Sequence, residues 1–363
     1  MTDLKNINRA FLISDTHLGV RANSTEWLTY IKAWFYEDFI PTVKANWKPG
    51  DILIHCGDFF DNRQSINLLV LSESIALFEE LSKLFPDGIY ILAGNHDVMK
   101  KTSNDITSLD SLKYIPNVNI IKEPILLNVN SAKALLMPWR TNHIEEQNCI
   151  ESFSSENFDY LFCHTNIITL NMDKHRKIEE GLDLKDINNF KRVYSGHIHW
   201  AQKRGNVRML GCPYQLTRSD SSNPKGCYLL DFTTDTETFF ENKTSPRFIK
   251  LYLDKIEDYS IEHLTAICKG NFIDLFVPSD YFIKYQITKL IDILSKFTIK
   301  LDIIPFEPDE LLDSSELNES IEHFSLIGLC KTYVSKLSFD EKTKERLFNK
   351  IESLYTIITR DNK

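Results

Sequence analysis

The chain has 363 residues, 42% hydrophobic and 26% charged, with a net charge of −9. That length predicts two or three domains with ample core, and the acidic balance argues against a uniformly basic, nucleic-acid-coating surface. Seven cysteines with no C-x-x-C pair argue against a thiolate zinc site and predict buried free thiols in a reducing compartment.

In chain order, five short apolar runs each end in a polar motif. Phe11-Leu12-Ile13 leads to Asp15-Thr16-His17, and Ile52-Leu53-Ile54 leads to Gly57-Asp58. Ile89-Tyr90-Ile91-Leu92 leads to Gly94-Asn95-His96-Asp97, Tyr160-Leu161-Phe162 to His164, and Val193-Tyr194 to Gly196-His197-Ile198-His199. The runs read as buried strands, so the motifs fall where strands end. Residues 23–47 place Trp27, Ile31, Trp34 and Phe35 at helical spacing, and Pro41 should kink or end that helix. Residues 66–85 predict a second helix, apolar enough to be largely buried. Strand-like segments follow at 118–121, 125–129 and 134–137.

This pattern fits an α+β fold with a two-sheet β-sandwich flanked by helices, although pattern alone does not separate it from a doubly wound sheet. From 232 to 247 the composition turns to Thr, Asp, Asn, Ser and Pro, a loop or linker signature. A small α/β unit is expected next: strand 248–253, helix 261–268, strand 271–277, helix 281–297 and strand 298–304. Pro305 and Pro308 mark another boundary, and eight acidic residues with no Lys or Arg lie between Asp302 and Glu322. Two amphipathic helices are expected at about 315–337 and 339–358. Ser338 and Glu341 would form a capping box, and Leu347, Ile351, Leu354 and Ile358 one apolar stripe. The resulting division is 1–235, 245–305 and 309–363.

Residues two apart in a strand face one side, so Asp15 pairs with His17 and His197 with His199. Carboxylate, imidazole and amide together suit a divalent ion such as Mn²⁺, Fe²⁺ or Zn²⁺. A central carboxylate can bridge two ions lying about 3.5–4 Å apart, which then steady both oxygens of an in-line displacement at phosphorus. A histidine outside the ligand set would act as general acid. Singly, each motif is ordinary turn chemistry and His164 a structural histidine; their joint occurrence points to one site. Of only 12 glycines, Gly19, Gly57, Gly94 and Gly196 lie in these motifs, which suggests backbones turning tightly beside it. The remaining histidines, His55, His143, His175, His263 and His323, read as surface or structural. Lys174, His175, Arg176, Lys177, Lys191, Arg192, Lys203, Arg204 and Arg208 could form a local basic strip or simply a solvated face. No charged-then-apolar leader and no apolar stretch of bilayer length occur, so an intracellular protein without membrane contact is expected.

These motifs resemble the calcineurin-like metallophosphoesterase superfamily, with its D-x-H, G-D, G-N-H-D, H and G-H-x-H pattern. The finer details are similar to its DNA double-strand-break repair nucleases, the SbcD-like enzymes, and to their phage recombination branch in particular. Those details are Ile13-Ser14-Asp15-Thr16-His17-Leu18-Gly19, Gly57-Asp58-Phe59-Phe60-Asp61, and Gly211-Cys212-Pro213-Tyr214-Gln215-Leu216 followed by Lys225-Gly226. The resemblance covers about residues 8–232.

It implies that Asp15, His17, Asp58 and His199 hold one metal, that Asp58 bridges, and that Asn95, His164 and His197 complete a second. His96 would be the catalytic histidine and Asp97 would orient His96 or its loop. The implied cofactors are two divalent ions, manganese preferred and magnesium the other candidate. The implied activities are 3′→5′ exonuclease and single-strand endonuclease. It also implies a capping domain, a homodimer through helices 23–47 or 66–85, and C-terminal helices that grip an SMC-like coiled-coil ATPase. The chain itself has no P-loop, and a phage protein would work in the host cytoplasm. Some relatives carry histidine where Asp61 stands. An acidic residue cannot bind phosphate as a cation; Arg63 and Asp61 are the substrate-binding candidates, with a cap of the following helix as the alternative for Asp61. The alternatives are a phosphoprotein phosphatase, cyclic-nucleotide phosphodiesterase or nucleotidase on the same fold, or a non-catalytic scaffold.

Overall fold

The computed structural model describes residues 7–100, 103–153, 158–256, 258–278, 287–306 and 340–360. In it the five apolar runs are strands of two six-stranded sheets. The first sheet runs Thr236–Glu241, Gly226–Asp231, Arg9–Ile13, Asp51–His55, Ile89–Leu92, Val118–Ile121. Its last four strands are parallel and the first two join antiparallel. The second runs Gln202–Arg204, Val207–Met209, Arg192–Ser195, Tyr160–Cys163, Ala132–Met137, Ile125–Val129, with its four central strands parallel. Parallel neighbours deliver their carboxyl ends to one edge, which is how motifs far apart in sequence become neighbours.

Alternate residues of each strand serve different layers. Ala10, Leu12, Ile52 and Ile54 meet Leu136, Phe162 and Tyr194 in the core between the sheets. Phe11, Ile13, Leu53 and Ile89 face the other way, onto Trp34, Phe39, Phe78 and Leu81 of the helices. Leu135, Leu161 and Val193 back the second sheet with a third cluster. Burial on both faces explains why these strands read as unbroken apolar runs.

The first helical stretch runs Thr25–Trp34, a π-helical turn Phe35–Phe39, then Ile40–Asn46. Ser24 caps it by accepting from the Trp27 N–H at 3.3 Å. Pro41 lies in the first turn of the last segment, so the proline is accommodated by a wide turn and does not end the helix. The second helix, Leu68–Leu84, departs from expectation. Val70, Ser74, Leu77, Phe78 and Leu81 are buried, but Leu68 is 82% exposed, so only one face serves the core.

Residues 232–247 are not a linker throughout. Thr236–Glu241 pairs along its whole length with Gly226–Asp231, as an edge strand. The Asp231 carboxylate accepts from the Thr233 and Thr234 N–H groups at 2.8 and 3.1 Å and closes the turn between them. The polar composition thus marks a turn and a solvent-facing edge.

The chain divides into two compact units, Met1–Leu275 with Thr288–Asp302, and Phe276–Ile287 with Ile303–Lys363. Strands Phe248–Tyr252, Phe272–Pro278 and Lys300–Phe306 form a three-stranded sheet in that order; the helix Ile261–Cys268 is as expected, and Ile287–Leu294 falls within the helix expected at 281–297, of which 281–286 lie outside the described residues. The expected helix at 315–337, and Ser338 of the capping box, lie outside the described residues. The last helix runs Glu341–Arg360, and the Asp340 carboxylate accepts from the Thr343 N–H at 3.0 Å at its start. Among the described residues no helix is long and apolar enough to cross a membrane.

The base of the first strand carries a buried bidentate ion pair. Arg9 Nε and Nη2 donate to Asp51 Oδ1 and Oδ2 at 2.8 and 2.6 Å. Asp51→Ala strands a buried guanidinium and should cost about 3–5 kcal/mol, read as a lowered denaturation midpoint.

Candidate metal centre

Ends of strands from both sheets meet at one point. Asp15 accepts from the His197 N–H through both carboxylate oxygens, at 3.0 and 3.2 Å, and so ties the first sheet to the second. His17 Nε2 and His199 Nε2 face each other at 3.0 Å, and His17 Nε2 lies 3.8 Å from Asp58 Oδ2. On the other side, Asp58 Oδ1 is 3.3 Å from His164 Nε2. Asn95 Oδ1 completes that side, 3.0 Å from His164 Nε2 and 2.6 Å from His197 Nδ1. His164 donates its Nδ1 hydrogen to the Cys56 carbonyl at 2.7 Å, which turns Nε2 toward the cluster.

Two ligand groups result, Asp15–His17–Asp58 and Asp58–His164–His197, each with its donor atoms within 4.8 Å of one another. Asp58 belongs to both. All seven residues assigned as ligands are therefore brought together, and the donor set fits a pair of divalent ions.

The backbone is bent to achieve this. Asp15, His17, Asp58 and His197 all sit in the left-handed region, at φ 53, 45, 56 and 77°. Such positions cost about 1–3 kcal/mol each and cluster at functional sites. The glycines leave the room: a Cβ on Gly57 would overlap the His164 ring, one on Gly94 the Asp58 carboxylate, and one on Gly196 the Ser14 hydroxyl.

Electrostatics favour a cation. Asp15, Asp58 and Asp97 are at most 2% exposed, so three carboxylates crowd one dry site. Burial raises the Asp15 pKa, though His164 opposes it. Burial works against Asp58 too, but His164 and His17 hold its carboxyl well below the usual range. Burial and then neighbouring histidines push His197 and His199 down to about 3, so both present neutral lone pairs. His164 goes the other way: burial would lower it, but Asp58 carries it up to about 9.

Asp97 is a brace. Its carboxylate accepts from the N–H groups of Phe59, Phe60 and Gly94 at 3.3, 3.0 and 2.9 Å, pinning two ligand loops together, and burial followed by Asp58 raises its pKa to about 7. His96 is half-buried. Its backbone N–H donates to Asp58 Oδ1 at 2.7 Å and its Nδ1 to the Asp61 carbonyl at 2.7 Å, which leaves Nε2 outside that bond. The Asp61 carboxylate lies 3.2 Å from His17 Nδ1, so it supports a ligand and caps no helix. Among the described residues no hydrogen bond ties Arg63 to the cluster.

The basic strip is largely neutralised. Arg192 and Lys191 pair with Asp235, Arg208 and Lys203 with Glu237, and Arg176 with Asp173. His55, read as surface or structural, is buried against the Thr16 hydroxyl at 3.0 Å.

Three participants escaped the sequence reading. The Cys212 thiol joins the His17 and His199 nitrogens within 4.8 Å. The Tyr214 hydroxyl donates to the Thr16 carbonyl. The buried Lys225 ammonium donates to the His199 carbonyl at 2.6 Å and pairs with Asp220 at 2.8 Å. The signal was the Gly211–Leu216 and Lys225 segment, noted for its resemblance but given no role.

Candidate metal-ligating side chains gathered at strand ends between two sheets fit a metallophosphoesterase, and the calcineurin-like phosphoesterase family matches residues 9–201. The chain belongs to that family. It is 24% identical over 96% of its length to exonuclease subunit 1 of Enterobacteria phage T4, of which it covers 98%. A protein of Invertebrate iridescent virus 3 described as a phosphoesterase is 27% identical over 108 residues, 29% of this chain and 30% of that one. A solved protein of unknown function from Aquifex aeolicus, 20% identical, matches 50% of this chain and 93% of its own with a TM-score of 0.26.

Gly94→Ala should leave the sheets intact yet displace Asp58, lowering bound divalent metal by tenfold or more with little change in far-ultraviolet circular dichroism.

Proposed function

We propose that the chain is the nuclease subunit of a DNA recombination or repair complex. It hydrolyses DNA phosphodiesters as a 3′→5′ exonuclease and single-strand endonuclease. The observation that carries this reading is the sharing of Asp58 between two ligand groups. Asp15, His17, Asp58 and His199 would hold one ion, and Asp58, Asn95, His164 and His197 the other. Bound there, two divalent ions, manganese preferred over magnesium, supply Lewis acidity and activation of water for in-line attack at phosphorus.

The remaining roles fall to the chain. His96, its Nδ1 fixed by the Asp61 carbonyl, delivers a proton from Nε2 to the departing sugar oxygen. Asp97 keeps the His96 and Asp58 loops in register. Arg63 is the candidate phosphate contact.

The end-to-end similarity to a phage exonuclease subunit supports DNA as substrate and a multisubunit setting. On this reading 1–235 is the nuclease domain, 245–305 a cap that helps select DNA, and 309–363 the segment that binds an SMC-like coiled-coil ATPase. The nuclease domains pair as a homodimer, and the complex works in the host cytoplasm.

The test is cleavage of end-labelled duplex and single-stranded DNA with Mn²⁺, Mg²⁺ or chelator. Manganese-dependent shortening that vanishes in Asp58→Asn, together with loss of both metals, is expected. Hydrolysis of small phosphoesters alone, with and without the ATPase partner, would favour a phosphatase, cyclic-nucleotide phosphodiesterase or nucleotidase. His96→Ala should keep its metals while cleavage slows by about 10²–10⁴; loss of metal would make His96 a ligand instead.

A further inference from the structure

Beside the ligands His197 and His199 opens a cavity of about 330 Å³. Its walls include the half-buried Trp200, the exposed Met172, Asn166 and Ser219. The volume falls at the lower end of the roughly 300–1,000 Å³ typical of small-ligand pockets.

Two features say what it accepts. Trp200 follows His199 directly, so an aromatic ring stands one residue from a metal ligand, with a thioether also on the wall. A flat apolar group seated on an indole is the common way to hold an unstacked base. The second feature is the charge on the wall. The ionic groups on the wall are internally matched, Arg176 with Asp173 and Asp220 with Lys225. The cavity is thus suited to a neutral planar group, while the negative phosphate belongs at the metals.

We propose that this cavity holds the base of a nucleotide flanking the scissile phosphate, stacked on Trp200. The proposal rests on the nuclease activity argued above. It requires the base to leave its stack, so single strands and frayed 3′ ends are the preferred substrates.

The test compares two single-stranded substrates, one normal and one whose 3′-terminal nucleotides lack bases, in manganese. With wild-type protein the baseless strand should lose about tenfold in kcat/KM, mostly through KM. Trp200→Ala should show the same loss on the normal strand and no further loss on the baseless one. Trp200→Phe should recover most of it. Equal losses on both strands in Trp200→Ala, at unchanged metal content, would make Trp200 merely structural and overturn the proposal. So would DNA cleavage indifferent to base removal, and that result leaves the nuclease reading standing. No DNA cleavage by wild-type protein that still hydrolyses methyl 4-nitrophenyl phosphate would overturn both.

Discussion

Asp58 is the constraint around which the site is arranged. It lies just past a central strand of the first sheet, yet it must face nitrogen donors from the second sheet on one side and His17 on the other. A carboxylate buried to this degree is tolerable only among partners of opposite charge or hydrogen-bond donors. It has the His96 N–H and the imidazoles around it, and its donor atoms belong to groups that could hold a metal ion. The surrounding features follow: glycine at 94 so that the carboxylate fits and at 57 so that the His164 ring does, left-handed backbone at 58 so that it turns inward, and Asp97 holding the loop from behind.

The second sheet answers the same requirement. His164 and His197 come from adjacent parallel strands, Tyr160–Cys163 and Arg192–Ser195, so their carboxyl ends share an edge. The His197 N–H on Asp15 then locks that edge to the first sheet. Below, the core between the sheets holds the edges apart at the spacing the ligands need. Packing and site geometry are therefore one problem, because a shift in Phe162 or Ile54 changes where the ligands stand.

Much of this was legible in the sequence because chemistry limits the choices. Candidate ligands are Asp, His or Asn, they fall just past a strand, and a crowded turn must use glycine; each rule marks, without coordinates, residues that the fold gathers at one point. Where reading failed, the missing information was spatial. Residues 236–241 are polar because one face of an edge strand meets water, which is also how a linker looks. Leu68 and Leu69 continue an apolar pattern but lie in a first turn outside the core. Asp61 was ambiguous because its partner, His17, lies on another loop. The basic residues looked like a strip because Asp235 and Glu237, which neutralise them, belong to a segment expected to be a linker.

The Asp15–His197 bond joins residues 182 positions apart, and the first strand pairs with Asp231 at its own base. During synthesis, which proceeds at about 5–20 residues per second, Asp15, His17 and Asp58 leave the ribosome well before His197 and His199 exist. Contacts of such long range also close slowly once their partners are present. A growing chain therefore carries an incomplete donor set through most of its translation and gains it only when the sandwich shuts. Assembly order alone keeps the cleaving centre from forming before the domain around it is whole.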